Sequence, residues 1–339
     1  MAGKIPVKKY TIKEVAEEAG VSVGLVSMVL NNKKGVNKET ADRIMKVVKK
    51  MNYTPNKAAS ALRIGYNKTI GVITPDLANH YFSDVARRIE NIAFDNGYTV
   101  LFGSSDDRSD KIGRLIEIFH ADGVKGILLT PCDDCIPEIR MAQELGMSVV
   151  LMNRAPEGID NVGMVLVDND KAIRMGLQHL VENGCRHIEM ISNNEMLSTL
   201  KMREHSYIKA MEDSGMAGIA KVNYVDEKNP GELDAVIHEA YRRGADAFMI
   251  PRGYLALHVN KALKRNGLRI PEDIALIGFD GGETYTVVTP TISQMVQGTR
   301  ETAELSYNML CDMMQGAAGT VAIIEPKLIA GESTAPRKH

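Results

Sequence analysis

The chain contains little cysteine and no long apolar run. Four cysteines in 339 residues are too few for a disulfide framework, which indicates a reducing compartment. No apolar stretch approaches the roughly 20 residues that a membrane-spanning helix needs. The segment MAGKIPVKKYTIKEV lacks the apolar core of a signal peptide. We therefore expect a cytoplasmic protein without a membrane partner.

Common catalytic and cofactor motifs are also missing. No GxxxxGK[ST] or GxGxxG follows a strand-like run, and HExxH does not occur. The GxSxG match GVSVG at 20–24 lies between two helix-like runs and is therefore not the strand-to-helix elbow of a hydrolase. The CDDC stretch at 132–135 has no second Cys/His pair, so a surface loop is favoured over a metal site or a redox pair. We expect no metal, no cofactor and no enzymatic activity.

Charge is distributed unevenly along the chain. Residues 1–68 carry 14 Lys/Arg and 5 Asp/Glu, whereas the remainder carries 27 Lys/Arg and 38 Asp/Glu. A small basic head on an acidic body favours a polyanionic partner for the head, although a basic solvated surface has the same composition.

The basic head has the pattern of a helix-turn-helix. Thr11 and Glu14 form a capping box that begins a first helix, and Gly20 can end this helix with a left-handed backbone. Ser22 can cap a second helix, and Asn37 can cap a third that ends before Pro55. A helix fits the DNA major groove and its first residues meet base edges, so the pattern predicts binding to double-stranded DNA.

An Ala-rich segment, YTPNKAASALRIG, follows the third helix. It is short enough to be unstable as an isolated helix. A marginal helix of this kind can fold on DNA and insert Leu62 between base steps, whereas the alternative is a plain linker.

The order of these motifs resembles the lactose repressor/galactose repressor (LacI/GalR) family over nearly the whole chain. The segments TIKEVAEEAGVSVGLVSMVLNN, ETADRI and YTPNKAASALRIGYNKTIGVITPD carry the resemblance. It implies that the second helix reads a pseudo-palindromic operator and that a hinge leucine opens the minor groove. By this resemblance and the helix pattern, the expected DNA-binding residues are Thr11, Ser22, Val23, Gly24, Ser27, Asn31, Asn56, Ala59, Leu62 and Arg63.

The second helix departs from the family pattern. The family has polar or large side chains after the Val-Ser pair, whereas this chain has Val23 and Gly24, with Met28 further along. These side chains do not form hydrogen bonds with bases. We therefore expect a larger share of recognition from DNA shape, from contacts with thymine methyl groups and from the hinge.

From Lys68 onward, short apolar runs alternate with amphipathic stretches, and a second series of the same kind begins near Val165. This alternation predicts an α/β fold with two Rossmann-like parallel-sheet lobes after an all-α headpiece and hinge helix. The resemblance implies the fold of type I periplasmic binding proteins, with crossovers near Asp168, Val296 and Glu325. The expected domains are a helix-turn-helix at 1–55, a hinge at 56–66 and a sensing domain at 67–339. Its first lobe would comprise about 67–167 and 297–324, and its second lobe about 168–296 and 325–339.

Ligands bind such folds at the carboxyl ends of the strands, which places an effector between the lobes. Arg203 and Asp280 match positions where the family grips its ligand, while Arg252 stands where the family has an Asn-Asp pair. An arginine without that acidic neighbour favours an anionic ligand, such as a phosphorylated or acidic sugar. The expected effector-binding residues are Asp76, Asn79, Tyr81, Phe82, Asp133, Arg154, Arg203, Arg252 and Asp280.

These features favour a homodimeric transcriptional regulator, specifically a repressor, whose affinity for DNA depends on a small polar effector, such as a carbohydrate. A pseudo-palindromic site requires two heads related by a two-fold axis, and the family dimerises through the helix at 81–95 and its neighbours. Two alternatives stay open: a carbohydrate-processing enzyme on the same lobes, and an effector-independent regulator with a degenerate pocket.

Overall fold

The protein divides into a small N-terminal unit, Met1–Asn67, and a larger unit, Lys68–His339, each folded around its own core. In this computed structural model the described residues are 10–30, 35–53, 68–193, 197–226 and 229–336. The two units are described separately.

The N-terminal unit contains three helices, α1 (Ile12–Ala19), α2 (Val23–Leu30) and α3 (Lys38–Lys50). The predicted capping box is present, because the Thr11 backbone N–H donates to Glu14 Oε2 at 2.7 Å and Thr11 Oγ1 accepts from the Glu14 backbone. Gly20 ends α1 with φ 63°, a left-handed conformation that glycine adopts without strain.

The turn between α1 and α2 brings both helices onto α3. Ser22 Oγ accepts from the Leu25 backbone N–H at 3.3 Å, and Asn37 Oδ1 accepts from that of Thr40 at 2.8 Å. The buried side chains that hold the three helices together are Val15, Ala16, Ala19, Val26, Ile44 and Val48. The predicted helix-turn-helix is therefore confirmed.

The larger unit begins with one parallel six-stranded sheet. Its strands are β1 (Thr69–Thr74), β2 (Thr99–Ser104), β3 (Gly126–Leu129), β4 (Ser148–Met152), β5 (Gly163–Val167) and β11 (Val321–Ile324). Their order is β11-β5-β4-β3-β1-β2. Helices α4 (His80–Asp95) and α11 (Thr299–Met314) cover one face, and α5 (Ser109–Ala121) and α6 (Ile136–Glu144) cover the other.

The second sheet also has six strands. They are β6 (Ile188–Asn193), β7 (Val222–Val225), β8 (Ala247–Met249), β9 (Ala275–Phe279), β10 (Ser293–Val296) and β12 (Lys327–Ile329), in the order β12-β10-β9-β8-β6-β7. All neighbours are parallel except β10 and β12. Helices α7 (Asn169–Glu182) and α8 (Ser198–Asp213) cover one face, and α9 (Pro230–Arg242) and α10 (Gly253–Arg265) cover the other.

The chain passes between the two sheets at three places: after β5, between β10 and α11, and between β11 and β12. The predicted fold class is confirmed. Strand β5 (Gly163–Val167), near which the second series of strands begins along the chain, pairs with β4 and β11 in the first sheet. Since β5 is followed directly by a helix of the other lobe, alternation along the chain does not mark the change of sheet.

No helix within the described ranges has both the length and the apolar character needed to cross a membrane. Strands β1, β3 and β9 are buried along their whole length. Strands buried on both faces place their polar neighbours at the strand ends, and the two sheets direct these ends at the same space.

Candidate functional site

A cavity of 540 Å³ lies between the two lobes, where the carboxyl ends of both sheets meet. Polar side chains from both lobes line it, and they follow strands or begin helices. The lining includes eight of the nine predicted effector-binding residues: Asp76, Asn79, Tyr81, Phe82, Arg154, Arg203, Arg252 and Asp280.

Arg203 is the most firmly held cation of this cavity. Its side chain is 7 % exposed, its Nε donates to Asn169 Oδ1 at 2.8 Å, and its Nη1 donates to the Pro251 carbonyl at 2.6 Å. The guanidinium carbon lies 3.6 Å from the centre of the Phe279 ring, so the two groups form a cation–π contact. Burial lowers the pKa of Arg203 to about 10, and the group remains charged at neutral pH.

Asp280 supplies a carboxylate at the same end of the second lobe. It follows β9 directly with a left-handed backbone, φ 49°. Burial raises the pKa of Asp280 to about 6, while the charge of Arg203 and two hydrogen bonds from Gln297 oppose this rise. At neutral pH most of this carboxylate is therefore ionised and can accept hydrogen bonds from hydroxyl or amine groups.

Tyr81 contributes a hydroxyl group rather than a stacking surface. Its ring is 5 % exposed and packs edge-on against Phe82, with ring centres 5.3 Å apart. Its hydroxyl accepts from Asn153 Nδ2 at 2.7 Å and lies 3.2 Å from Thr302 Oγ1. Burial raises the pKa of Tyr81 to about 12, so the phenol stays protonated.

The other predicted effector-binding residues differ in their contacts with the protein. Arg154 is buried and forms an ion pair with Asp107, whose carboxylate neutralises part of the guanidinium charge. Asp76 Oδ1 accepts from the Ala78 backbone N–H at 2.7 Å, and Asn79 caps α4 by accepting from Tyr81. Arg252 lines the cavity immediately before α10.

Asp133 lies outside the cavity lining. Its Oδ2 accepts from the backbone N–H of Ser198, the first residue of α8, at 2.9 Å. The carboxylate therefore joins the first lobe to a helix start of the second lobe.

Sequence reasoning missed several lining residues, above all Asn153, Gln297 and Asp107. Asn153 follows β4 and Gln297 follows β10, each as the first residue after its strand. The signal available in the sequence was therefore the same as for Asp280: a polar residue that ends an apolar run.

Gly253, the first residue of α10, makes a close approach that another residue cannot make. A Cβ atom at this position would lie 2.5 Å from the Phe279 carbonyl oxygen and 3.0 Å from that of Asp280. Backbone atoms cannot rotate away, so Gly253→Ala must push α10 from the end of β9. We expect a loss of about 1–3 kcal/mol, which lowers the melting temperature by roughly 5 °C.

Calorimetry of the full chain checks this prediction. The matched control is Gly218→Ala, because a Cβ at Gly218 meets nothing within 4 Å and the residue has an ordinary backbone. An equal loss in both variants would contradict the proposed clash.

The CDDC stretch is a loop in which Asp133 and Asp134 are exposed, whereas both cysteines are buried. Cys135 Sγ donates to the Cys132 carbonyl at 3.1 Å. The hydrogen bond with Cys135 and burial raise the pKa of the Cys132 thiol, which makes it unreactive. Within the described part of the chain, no group of three or more His, Cys, Asp or Glu side chains is arranged to hold a metal ion.

The predicted DNA-contacting residues of the head are only partly described. Thr11, Ser22 and Gly24 are exposed, whereas Val23 and Ser27 are half-buried at the start of α2. Asn31, Asn56, Ala59, Leu62 and Arg63 lie outside the described residues. The start of α2 therefore presents a small, weakly polar surface.

Two family models match the chain. Residues 11–56 match the bacterial regulatory proteins of the lacI family, and residues 177–334 match the periplasmic binding protein-like domain. The chain belongs to the LacI family. Its helix-turn-helix head and two-lobed body are those of a LacI-family DNA-binding transcriptional regulator.

Curated relatives of this LacI-family chain span nearly its whole length. The ribose operon repressor of Halalkalibacterium halodurans is 27 % identical over 310 residues, covering 90 % of both chains. The transcriptional repressor PurR of Escherichia coli is 26 % identical over 332 residues, covering 96 % of this chain and 97 % of PurR.

Solved structures share the fold. The lac repressor dimer bound to operator and the anti-inducer ONPF is similar with a TM-score of 0.81 at 22 % identity, covering 97 % of this chain and all of that one. The regulator CelR in complex with cellobiose has a TM-score of 0.68 at 22 % identity, covering 96 % of this chain and all of that one.

Proposed function

We propose that this LacI-family regulator binds a small, polar, sugar-like effector between its lobes and that this binding changes its affinity for operator DNA. The observation that carries the proposal is the pairing of Arg203 and Asp280 in one cavity. A buried guanidinium and a carboxylate provide a donor and an acceptor for a ligand rich in hydroxyl groups. Relatives named for ribose and cellobiose support a carbohydrate.

We further propose that the effector carries an anionic group. Arg203, from α8, and Arg252, at the start of α10, both line the cavity in the second lobe. Guanidinium groups bind carboxylates and phosphates through two parallel hydrogen bonds, which a neutral sugar does not offer. Arg154 contributes less, because its charge is paired with Asp107.

The proposed active form is a cytoplasmic homodimer acting as a repressor on a pseudo-palindromic operator. The dimeric lac repressor on its operator supports this arrangement. In the first lobe, Phe94 at the end of α4 is 78 % exposed and Phe102 on the edge strand β2 is 37 % exposed, which is consistent with an apolar face that a second copy covers. The proposed boundaries are 1–55 for the head, 56–66 for the hinge and 67–339 for the sensing domain.

The test is a binding assay with the full chain and duplex DNA from upstream of its own gene, at several salt concentrations. The ligand panel contains neutral sugars, their phosphates and their acids as matched sets. We expect salt-sensitive binding, because each phosphate contact releases counterions. We also expect one anionic member to change the DNA affinity at least about 10-fold, a coupling within the usual range.

Four other outcomes would each contradict a different part of the proposal. Salt-insensitive or absent binding to any duplex would refute DNA recognition. DNA binding that no sugar derivative alters, together with an empty cavity by mass spectrometry of the purified protein, would favour an effector-independent regulator. Turnover of a bound sugar would favour an enzyme. A response to neutral sugars alone would remove the anionic group from the proposal.

A further inference from the structure

Gln297 occupies the passage from the second lobe to the first. It is the first residue after β10 and lies two residues before α11 begins. Its side chain is 6 % exposed and lines the cavity. A buried side chain at a crossover can contact groups of both lobes, and Gln297 does so.

In the second lobe Gln297 engages both oxygens of Asp280. Its backbone N–H donates to Asp280 Oδ1 at 2.9 Å, and its Nε2 donates to Asp280 Oδ2. Two donors from one residue fix the rotation of the carboxylate. Each oxygen can accept a further hydrogen bond, so the carboxylate remains available to a ligand.

In the first lobe Gln297 meets Asn153. The Asn153 Nδ2 approaches Gln297 Oε1 to 3.5 Å and also donates to the Tyr81 hydroxyl at 2.7 Å. Asn153 and Asp280 both have left-handed backbones, with φ 65° and 49°. Asparagine and aspartate adopt this conformation more readily than other non-glycine residues. The amide of Gln297 therefore lies between two strand ends that turn in the same way, one from each lobe.

From Tyr81 the hydrogen bonds continue to Thr302 in α11, and the donor of each bond can be assigned. Thr302 Oγ1 donates to the Gly298 carbonyl at 3.0 Å, which uses its only proton. The Tyr81 hydroxyl must therefore donate to Thr302 Oγ1 and accept from Asn153. The path returns to Gly298, the residue next to Gln297, so the hydrogen bonds and the peptide bond between these two residues form a closed ring.

We infer that Gln297 is a positioning residue that fixes the Asp280 carboxylate as an acceptor for the effector and connects it to Asn153 of the first lobe. The effector in this statement rests on the proposed function, whereas the positioning does not. A ligand that binds Asp280 then acts on the crossover and on the start of α11 through the Gln297 side chain.

The pKa of the Asp280 carboxyl group can test this inference without a ligand. The groups that face it are Arg203 from α8, Tyr81 from α4, Tyr285 from the turn after β9, and Gln297. Arg203 and the two Gln297 donors lower the pKa of Asp280, and burial raises it to about 6. Removing the Gln297 side chain must therefore raise the pKa further, while its backbone donor remains.

The experiment compares melting temperatures of the full chain between pH 4.5 and 8. Gln297→Leu is measured with and without Asp280→Asn, so that the difference isolates the titration of Asp280. We expect its midpoint to move upward by about one pH unit from the wild-type value, the effect of losing one donor to a buried carboxylate. Gln297→Met, which keeps the length of the side chain, serves if the leucine variant does not fold.

The matched control is Gln294→Leu. Gln294 is buried in β10, the strand that precedes Gln297, and its amide contacts Gly282 and not Asp280. We expect no shift of the midpoint in this variant. An unchanged midpoint in Gln297→Leu, or an equal shift in Gln294→Leu, would overturn the inference.

The DNA-binding assay separates this inference from the proposed function. If the midpoint shifts but no sugar derivative alters DNA binding, the positioning stands and the effector proposal fails. If a sugar derivative acts on wild type and the midpoint does not shift, the effector proposal stands and the role of Gln297 fails.

Discussion

Arg203→Ala is expected to weaken effector binding about 100-fold and to abolish the effect of the ligand on DNA affinity. The guanidinium is buried and held by Asn169 and Pro251 on the surface of Phe279. A hydrogen bond to a charged group contributes about 1.5–3 kcal/mol, so the loss of one such bond near the upper end of this range accounts for a 100-fold effect, about 2.7 kcal/mol. Titration calorimetry with the active compound of the panel measures the affinity.

The control for this variant is Arg243→Ala. Arg243 lies in the same lobe and pairs with the buried Glu189 at 2.7 Å, but neither residue lines the cavity. Its loss should lower the melting temperature and leave the affinity of the folded protein unchanged. Arg203→Lys should keep only part of the affinity, because an ammonium group lacks the planar pair of donors. Full affinity in Arg203→Ala would remove this residue from the effector site.

Asp280→Asn is expected to reduce the loss of unfolding free energy that occurs as the pH rises through about 6. The folded-state pKa of Asp280 is raised by burial to about 6, so the folded protein holds this proton more tightly than the unfolded chain. This contribution is fully present below the unfolded pKa and is lost as the pH rises through 6. Asparagine does not titrate, and it tolerates the left-handed backbone at this position.

Between pH 4.5 and 8 the variant should therefore gain about 2 kcal/mol relative to wild type, or roughly 4–8 °C in melting temperature. Asp234→Asn is the control. The hydrogen bond from Arg265 lowers the pKa of Asp234, so its contribution is present above the unfolded pKa and is lost only on acidification below it. Between pH 4.5 and 8 the difference between Asp234→Asn and wild type should therefore stay nearly constant. A flat difference for Asp280→Asn would refute the raised pKa.

Much of the fold was predictable because its signals are local. The capping box at Thr11, the left-handed turn at Gly20 and the cap at Asn37 each depend on residues three or four positions apart. The alternation of apolar runs and helices predicted both sheets. The expected placement of β5 and β11 in the first lobe came from the family resemblance, because their pairing joins segments far apart in the chain and has no local signal.

The site was predictable where a strand end fixes the position of a side chain. Arg203 and Asp280 reach the cavity as the family resemblance implied, whereas the Asp133 carboxylate lies outside the lining and accepts from the backbone N–H of Ser198. The end of β10 was a local signal that Gln297 lies at the cavity, but its simultaneous contacts with residues 17 and 144 positions away had no such signal. No pattern within a window of the sequence contains both contacts.

The position of β11 and β12 has a consequence for synthesis on the ribosome. These two strands follow one another near the end of the chain, yet one closes the edge of the first sheet and the other closes the edge of the second. Neither lobe can complete its sheet until residues 321–329 have emerged. Although domains commonly fold one after another during translation, the two lobes of this body finish folding together. A frameshift late in the gene therefore leaves two incomplete sheets with exposed edges rather than one intact lobe.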